Sequence, residues 1–188
     1  MNSPLLLLAT KLDLNVIHFF QTSTSDFGIK LAIVVSNIGS PQSFLLLTIA
    51  TAMLFWLYKK PYYLVQFLVT LGAGGLTVYV MKRLIARPRP VEALIDISGY
   101  SFPSGHATIA TLFCCLIMFA YKDHIKNLFT RLLFIIILAS IALAISFSRV
   151  YLSVHYLSDV VVGILVGLLI ASISVFVFEN FFKKEELK

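Results

Sequence analysis

Three short polar clusters interrupt an otherwise apolar chain of 188 residues, and their residue types point to chemistry on an anion. Residues 82–90 carry Lys82, Arg89 and Pro90; residues 103–106 read Pro103, Ser104, Gly105, His106; residues 148–159 carry Ser148, Arg149, His155 and Asp159. Guanidinium groups match phosphate oxygens with paired hydrogen bonds, so Arg89 and Arg149, with Lys82, read as an anion cradle. Ser104 and Gly105 stand where a helix running on through Ala107 would begin, and its unpaired N–H groups and dipole favour a bound anion. Pro103 suits the position just ahead of such a start, and Gly105 would let the backbone approach the ligand. His106 and His155 supply imidazoles, a group whose ordinary pKa lies near neutrality and which suits a nucleophile and a general acid. Asp159 follows His155 by four residues, which on one helix places both on the same face, where the carboxylate can orient the imidazole and stabilise its cation.

Residues so far apart meet only if the intervening elements bring the chain back to one place. A chain that is 59% hydrophobic and 13% charged, with mean hydropathy +0.93, cannot solvate the surface of a soluble domain and belongs in a bilayer. Charge-free runs at residues 41–58, 62–81, 107–121, 132–148 and 160–178 each approach the ~20 residues that cross hydrocarbon as a helix. Barrel strands would alternate instead. The expected fold is an all-α integral membrane bundle of five transmembrane helices. A short sixth crossing is expected from Leu31 to the turn formers Ser36, Asn37, Gly39, Ser40 and Pro41. Residues 12–20 mix apolar side chains with Asp13, Asn15 and His18, as an amphipathic helix at the interface would. No repeat or linker divides residues 1–188, so one domain is expected, with its motif core at 82–159.

Parity of the spans returns all three clusters to one membrane face. Lys59, Lys60, Lys122, Lys126, Arg131, Lys183, Lys184 and Lys188 fall on the other face, which is then cytoplasmic by the positive-inside rule. The clusters, with Lys82, Arg83, Arg87, Arg89 and Arg149, look outward. A net charge of +6 distributed in this way between apolar runs is no nucleic-acid footprint. Leu5 to Leu8 lack a preceding basic residue and are followed by Lys11 and Asp13, so a retained N-terminus is expected. Cys114 and Cys115 are neighbours in an apolar run, where neither a mutual disulfide nor a metal site is reasonable.

Other residues take plainer readings. Arg83 and Arg87 read as cations snorkelling to headgroups. His18 and His124 read as surface histidines. Gly72, Gly74, Gly75, Gly163 and Gly167 read as sites of close helix packing. The segment 91–102, with Glu92, Asp96, Tyr100 and Phe102, reads as an interfacial cap over the site mouth, and alternatively as a headgroup selector.

Lys82, six residues, Arg89–Pro90; Pro103–Ser104–Gly105–His106; Ser148–Arg149, five residues, His155, three residues, Asp159: in all three motifs this pattern resembles the type 2 phosphatidic acid phosphatase superfamily. The resemblance implies a lipid phosphate hydrolase in which His155 attacks phosphorus, Asp159 holds its tautomer and His106 protonates the leaving oxygen. Lys82, Arg89, Ser104, Gly105 and Arg149 would hold the phosphoryl oxygens. No cofactor is expected, since three cations already offset the phosphoryl charge and would repel a divalent ion. The resemblance implies a lipid phosphate substrate within membrane lipids, no nucleic-acid partner, and a multi-pass protein of a bacterial plasma membrane. Undecaprenyl pyrophosphate is the first substrate reading, and phosphatidylglycerol phosphate or phosphatidate the second. A lipid transporter without turnover is argued against by the filled catalytic positions, and vanadate haloperoxidase chemistry by the soluble habit of those enzymes.

Overall fold

The computed structural model describes residues 4–122 and 124–182, with side chains from residue 9 onward, so Lys183, Lys184 and Lys188 lie outside the described residues. Among those residues the chain forms seven α-helices and no strand: α1 (Pro4–Ser23), α2 (Asp26–Ile38), α3 (Pro41–Leu57), α4 (Pro61–Ile85), α5 (Gly105–Tyr121), α6 (Leu128–Tyr151) and α7 (Leu157–Val177). A π-helical turn, Phe178–Phe182, extends α7. The helix starts are local: Ser25, Ser40, Ser104 and Asn127 each accept a first-turn N–H with the side chain, the N-cap arrangement. Pro41 and Pro61 open α3 and α4, where a missing N–H leaves nothing unpaired.

Three helices, α4, α6 and α7 through Phe182, are long and apolar enough to cross a bilayer alone. α2 and α3 meet at a break bent by 42°, and together they are apolar enough for a fourth path, either a broken span or a re-entrant loop. At 1.5 Å per residue the 13 residues of α2 reach only about 20 Å, too short for the hydrocarbon core.

The central helix is α5, the 17-residue one, packed against α4, α6 and α7. Its buried residues, including Ala107, Thr108, Ala110, Leu112 and Leu116, face every neighbour, whereas Leu45, Leu46, Ile136, Leu143, Leu169 and Ile173 on surrounding helices point outward. Exposed aliphatics on this scale suit lipid and not water. Because lipid is as apolar as leucine, helix association depends on close approach and hydrogen bonds. Gly163 and Gly167 supply the approach: a Cβ there would lie 2.8 Å from the Ser104 carbonyl oxygen and 2.7 Å from that of Thr108. Gly74 likewise abuts Leu112, but Gly72 and Gly75 face open space, so close packing does not explain those two. Thr70 and Ser174, with side-chain oxygens 2.6 Å apart, and Gln66 form the polar contact between α4 and α7.

α1 is helical through residues 12–20 as expected, and His18 is exposed. Asp13 and Ile17, one turn apart, are buried against the bundle, with Asp13 only 2% exposed. The interfacial-helix reading did not anticipate a buried carboxylate.

Gly167→Ala should lower the thermal unfolding midpoint in detergent, corresponding to about 1–3 kcal/mol for overpacking against a backbone carbonyl. Gly72→Ala should be neutral or stabilising by up to about 1 kcal/mol, since it removes only glycine's backbone entropy. Equal shifts in the two variants would contradict the packing assignment.

Candidate active site

The three clusters meet at one end of the bundle, where Lys82, Arg89, His106, Arg149 and His155 line a single cavity of about 350 Å³. Its remaining wall is apolar, made by Pro41 and Phe44 of α3, Val78 of α4, Ile109 of α5 and Ile97 of the α4–α5 segment. A cavity of similar size at the opposite end, lined by Leu54, Tyr58, Tyr63 and Tyr121, has Lys60 and His124 but neither arginine nor a carboxylate.

Each side chain is placed by how a helix starts or stops. α4 ends at Ala86, whose left-handed φ of 48° turns the chain away one turn beyond Lys82. Lys82 Nζ then donates to the Tyr100 carbonyl at 2.6 Å and the Ser101 carbonyl at 3.3 Å. Arg89 Nε donates to the Gly99 carbonyl, so two cradle cations are held by the returning 91–102 segment. That segment also docks by Leu94 N–H on the Leu152 carbonyl, and Ala93, Ile95 and Ile97 pack on buried Leu152 and Val154. These contacts suit the cap reading.

α5 starts at Gly105 with Ser104 as N-cap, and the Ser104 N–H donates to the Asp159 carbonyl at 3.0 Å. The start of α5 is thereby tied to the start of α7. An added Cβ at Gly105 would meet only Val78 Cγ1, at 3.4 Å, so neighbouring side chains do not require glycine there. α6 ends by wrapping its last carbonyls: Leu152, Ser153, Val154 and His155 all donate back into its final turn, with Ser153 at φ 52°. That wrap brings His155 back beside Arg149, whose carbonyl accepts the His155 N–H at 3.3 Å. Arg149 is 2% exposed; its Nη1 bonds Ser36 Oγ across from α2, and its Nε has no hydrogen-bond partner.

His155 and Asp159 do not meet by sharing a helical face. His155 precedes α7, and Asp159, fully buried in its first turn, accepts the Tyr156 N–H on Oδ2 at 3.0 Å. The same oxygen lies 3.5 Å from His155 Nδ1, within ion-pair reach but without hydrogen-bond geometry. On the other side of the ring Arg89 Nη1 lies 3.2 Å from His155 Nε2. A guanidinium can only donate, so Nε2 presents its lone pair and the neutral ring carries its proton on Nδ1, toward Asp159. That is the tautomer a nucleophilic Nε2 requires.

Burial lowers the His155 pKa to about 4; Asp159 pulls it back up, while Arg89, Arg149 and Lys82 push it further down. The imidazole is therefore neutral at physiological pH. Burial also lowers the Arg89 pKa, with Asp159 opposing. Arg87 behaves otherwise: burial opposes its charge, but Asp13 and Asp159 outweigh burial and raise its pKa.

Arg87 corrects the sequence reading. It does not snorkel: Nη1 donates to Asp159 Oδ1 at 2.6 Å and to Ser158 Oγ at 2.7 Å, and Nη2 donates to Asp13 Oδ2 at 2.8 Å. Its guanidinium stacks 3.9 Å from the centre of the Tyr156 ring. Asp13 accepts in addition from the Ser158 N–H and hydroxyl. The one available signal for Asp13 was a lone acid on an otherwise apolar helical face. Arg83 does stay outside the cavity, over Tyr79.

A family model described as the PAP2 superfamily matches residues 63–183. Phosphatidylglycerophosphatase B of Bacillus subtilis is 32% identical over 138 residues, covering 72% of this chain and 68% of that protein. Undecaprenyl-diphosphatase of Sulfolobus acidocaldarius is 30% identical over 122 residues, 59% of this chain and about half of that relative, 51%. The crystal structure of a transmembrane PAP2 type phosphatidylglycerolphosphate phosphatase from Bacillus subtilis superposes with a TM-score of 0.83 at 26% identity, covering 94% of this chain and 92% of that one.

Below the ordinary histidine pKa of ~6.5 an unfolded chain takes up a proton that buried His155 refuses. Its stabilising contribution is thus fully present above pH ~6.5 and is lost as pH falls toward about 4. ¹⁵N NMR of histidine-labelled protein should show His155 neutral and Nδ1-protonated at pH 6. A His155 midpoint above 6 would contradict the burial argument.

Proposed function

The chain belongs to the PAP2 superfamily, hydrolases of lipid phosphate esters, and we propose that it cleaves a membrane lipid phosphate or pyrophosphate through a phospho-histidine intermediate. The observation that carries this reading is the shared cavity, where the His155 and His106 imidazoles and the Lys82, Arg89 and Arg149 cations converge beside apolar side chains.

His155 Nε2 attacks phosphorus while the bond to the lipid oxygen, or to the bridging oxygen of a pyrophosphate, breaks; His106 gives its proton to that oxygen. Nδ1–H faces Asp159 as the ring becomes cationic. Water, deprotonated by His106, then breaks the P–N bond and releases phosphate. Lys82, Arg89 and Arg149 exchange their present oxygen partners for phosphoryl oxygens whose charge grows in the transition state. Ser104 and Gly105 add the α5 N-terminus.

The apolar wall of Pro41, Phe44, Val78 and Ile109 suits the first methylenes or isoprenyl carbons of a tail arriving sideways from the bilayer. Undecaprenyl pyrophosphate is the first substrate we propose. Phosphatidylglycerol phosphate is the second, favoured by the Bacillus subtilis relative. The site faces outward from a bacterial plasma membrane in this reading. Lys11 and Lys30 also sit at the site end, because α1 and α2 dock there through Asp13 and Ser36, and they narrow the charge difference between faces. Lys82, Arg87, Arg89 and Arg149 are committed to internal partners, so they add little to the basic surface at the site end, where Lys11, Lys30 and Arg83 remain.

Purified protein in detergent with EDTA should release phosphate from undecaprenyl pyrophosphate, with phosphatidylglycerol phosphate and phosphatidate as comparison lipids. His155→Ala should abolish release, and His106→Ala should slow it roughly 10²–10⁴-fold. Undiminished turnover by His155→Ala removes the nucleophile, and no release from any of the lipids favours a transporter. For orientation, Asp96→Cys should react with an impermeant thiol reagent in intact cells; labelling only after lysis inverts the topology.

A further inference from the structure

The Asp13–Arg87–Asp159 chain lies behind the nucleophile, on the side away from the cavity, and touches no residue that would contact substrate other than through Asp159. We infer that Arg87 and Asp13 are positioning residues that together fix the Asp159 carboxylate and leave one uncompensated negative charge behind His155. This inference rests on His155 as nucleophile.

The geometry separates the two tasks. Arg87 takes Oδ1 of Asp159, and the Tyr156 N–H takes Oδ2, so the carboxylate plane is held by groups on two elements with Oδ2 facing His155 Nδ1. An arginine paired to Asp159 alone would cancel the charge that the developing imidazolium needs. Asp13 removes that conflict: it neutralises Arg87 through Nη2 and is itself saturated by Ser158, so Asp159 keeps its charge as well as its orientation. With Asp13 2% and Asp159 0% exposed, water screens neither.

The charged and titratable groups facing His155 are Asp159 from α7, Arg89 from the α4–α5 segment, Arg149 from α6, His106 from α5 and Lys82 from α4. All but Asp159 are cationic or imidazole and lie on the cavity side. The ring thus sits between a positive wall that receives phosphoryl oxygens and a smaller negative group that receives its own charge. Asp13 reaches this arrangement from α1, a helix outside the three sequence clusters.

The test is the His155 imidazole titration by ¹⁵N NMR, read beside turnover of the same proteins. Asp13→Asn keeps size and removes the extra negative charge, so the His155 midpoint should move down, by about half a pH unit or more. Arg87→Gln leaves two carboxylates without their cation, and the midpoint should move up by a similar amount. The double variant restores the net charge behind the ring, and its midpoint should return to that of the parent protein. In each single variant kcat should fall with KM little changed, and Arg87→Lys should recover part of the loss. A merely structural role would lower stability without opposite shifts. Midpoints that stay put, or move the same way in both single variants, overturn the inference. Should Arg87→Gln not fold, Asp13→Asn decides alone. Turnover retained by His155→Ala would instead sink the nucleophile reading, whatever the midpoints do.

Discussion

One backbone hydrogen bond, from the Ser104 N–H to the Asp159 carbonyl, joins the start of α5 to the start of α7, and the site is assembled around it. Gly163 lets α7 lie this close to the start of α5: a Cβ there would come within 2.8 Å of the Ser104 carbonyl oxygen. Close approach therefore comes before chemistry. With the two helix starts in register, His106 on one and His155, backed by Asp159, at the other open onto the same cavity.

The bilayer supplies the second constraint. Charged groups are expensive in hydrocarbon, so those of the three clusters stand at or beyond helix ends and are held by protein. Lys82 and Arg89 are held by carbonyls of the 91–102 segment, and Arg149 by Ser36. A phosphoryl group entering the cavity has to compete with these neutral oxygens, and an anion does so readily because its hydrogen bonds to cations are charge-assisted. In the proposed reaction the three cations would thus be ordered before substrate arrives, in contacts weaker than those that would replace them.

The electrostatics of His155 is a compromise between its two sides. Cations on the cavity side and burial both oppose protonation, which would keep the proposed nucleophile free. The same influences would oppose the imidazolium that phosphoryl transfer generates, unless a fixed negative charge stands behind the ring. In the mechanism proposed above Asp159 fills that place, where Arg87 bonds it and Asp13 bonds Arg87.

Much of this was legible in the residues. Long charge-free runs established a helical membrane bundle, because a helix is the element that satisfies its own backbone in lipid. The motif spacing brought Lys82, Arg89, Ser104, Gly105, His106, Arg149, His155 and Asp159 forward as a set, because span parity depends only on counting crossings. What the sequence could not contain was direction at short range. Whether Arg87 reached for lipid or for Asp159 depended on Ala86 turning the chain at the end of α4. Whether Asp13 lay at a membrane surface or inside the site depended on how α1 docks against α7. Patterns of residue type specify which elements form and which groups can react. Tertiary packing alone decides which charges touch, because a hydrogen bond is won or lost over an ångström that no periodicity encodes.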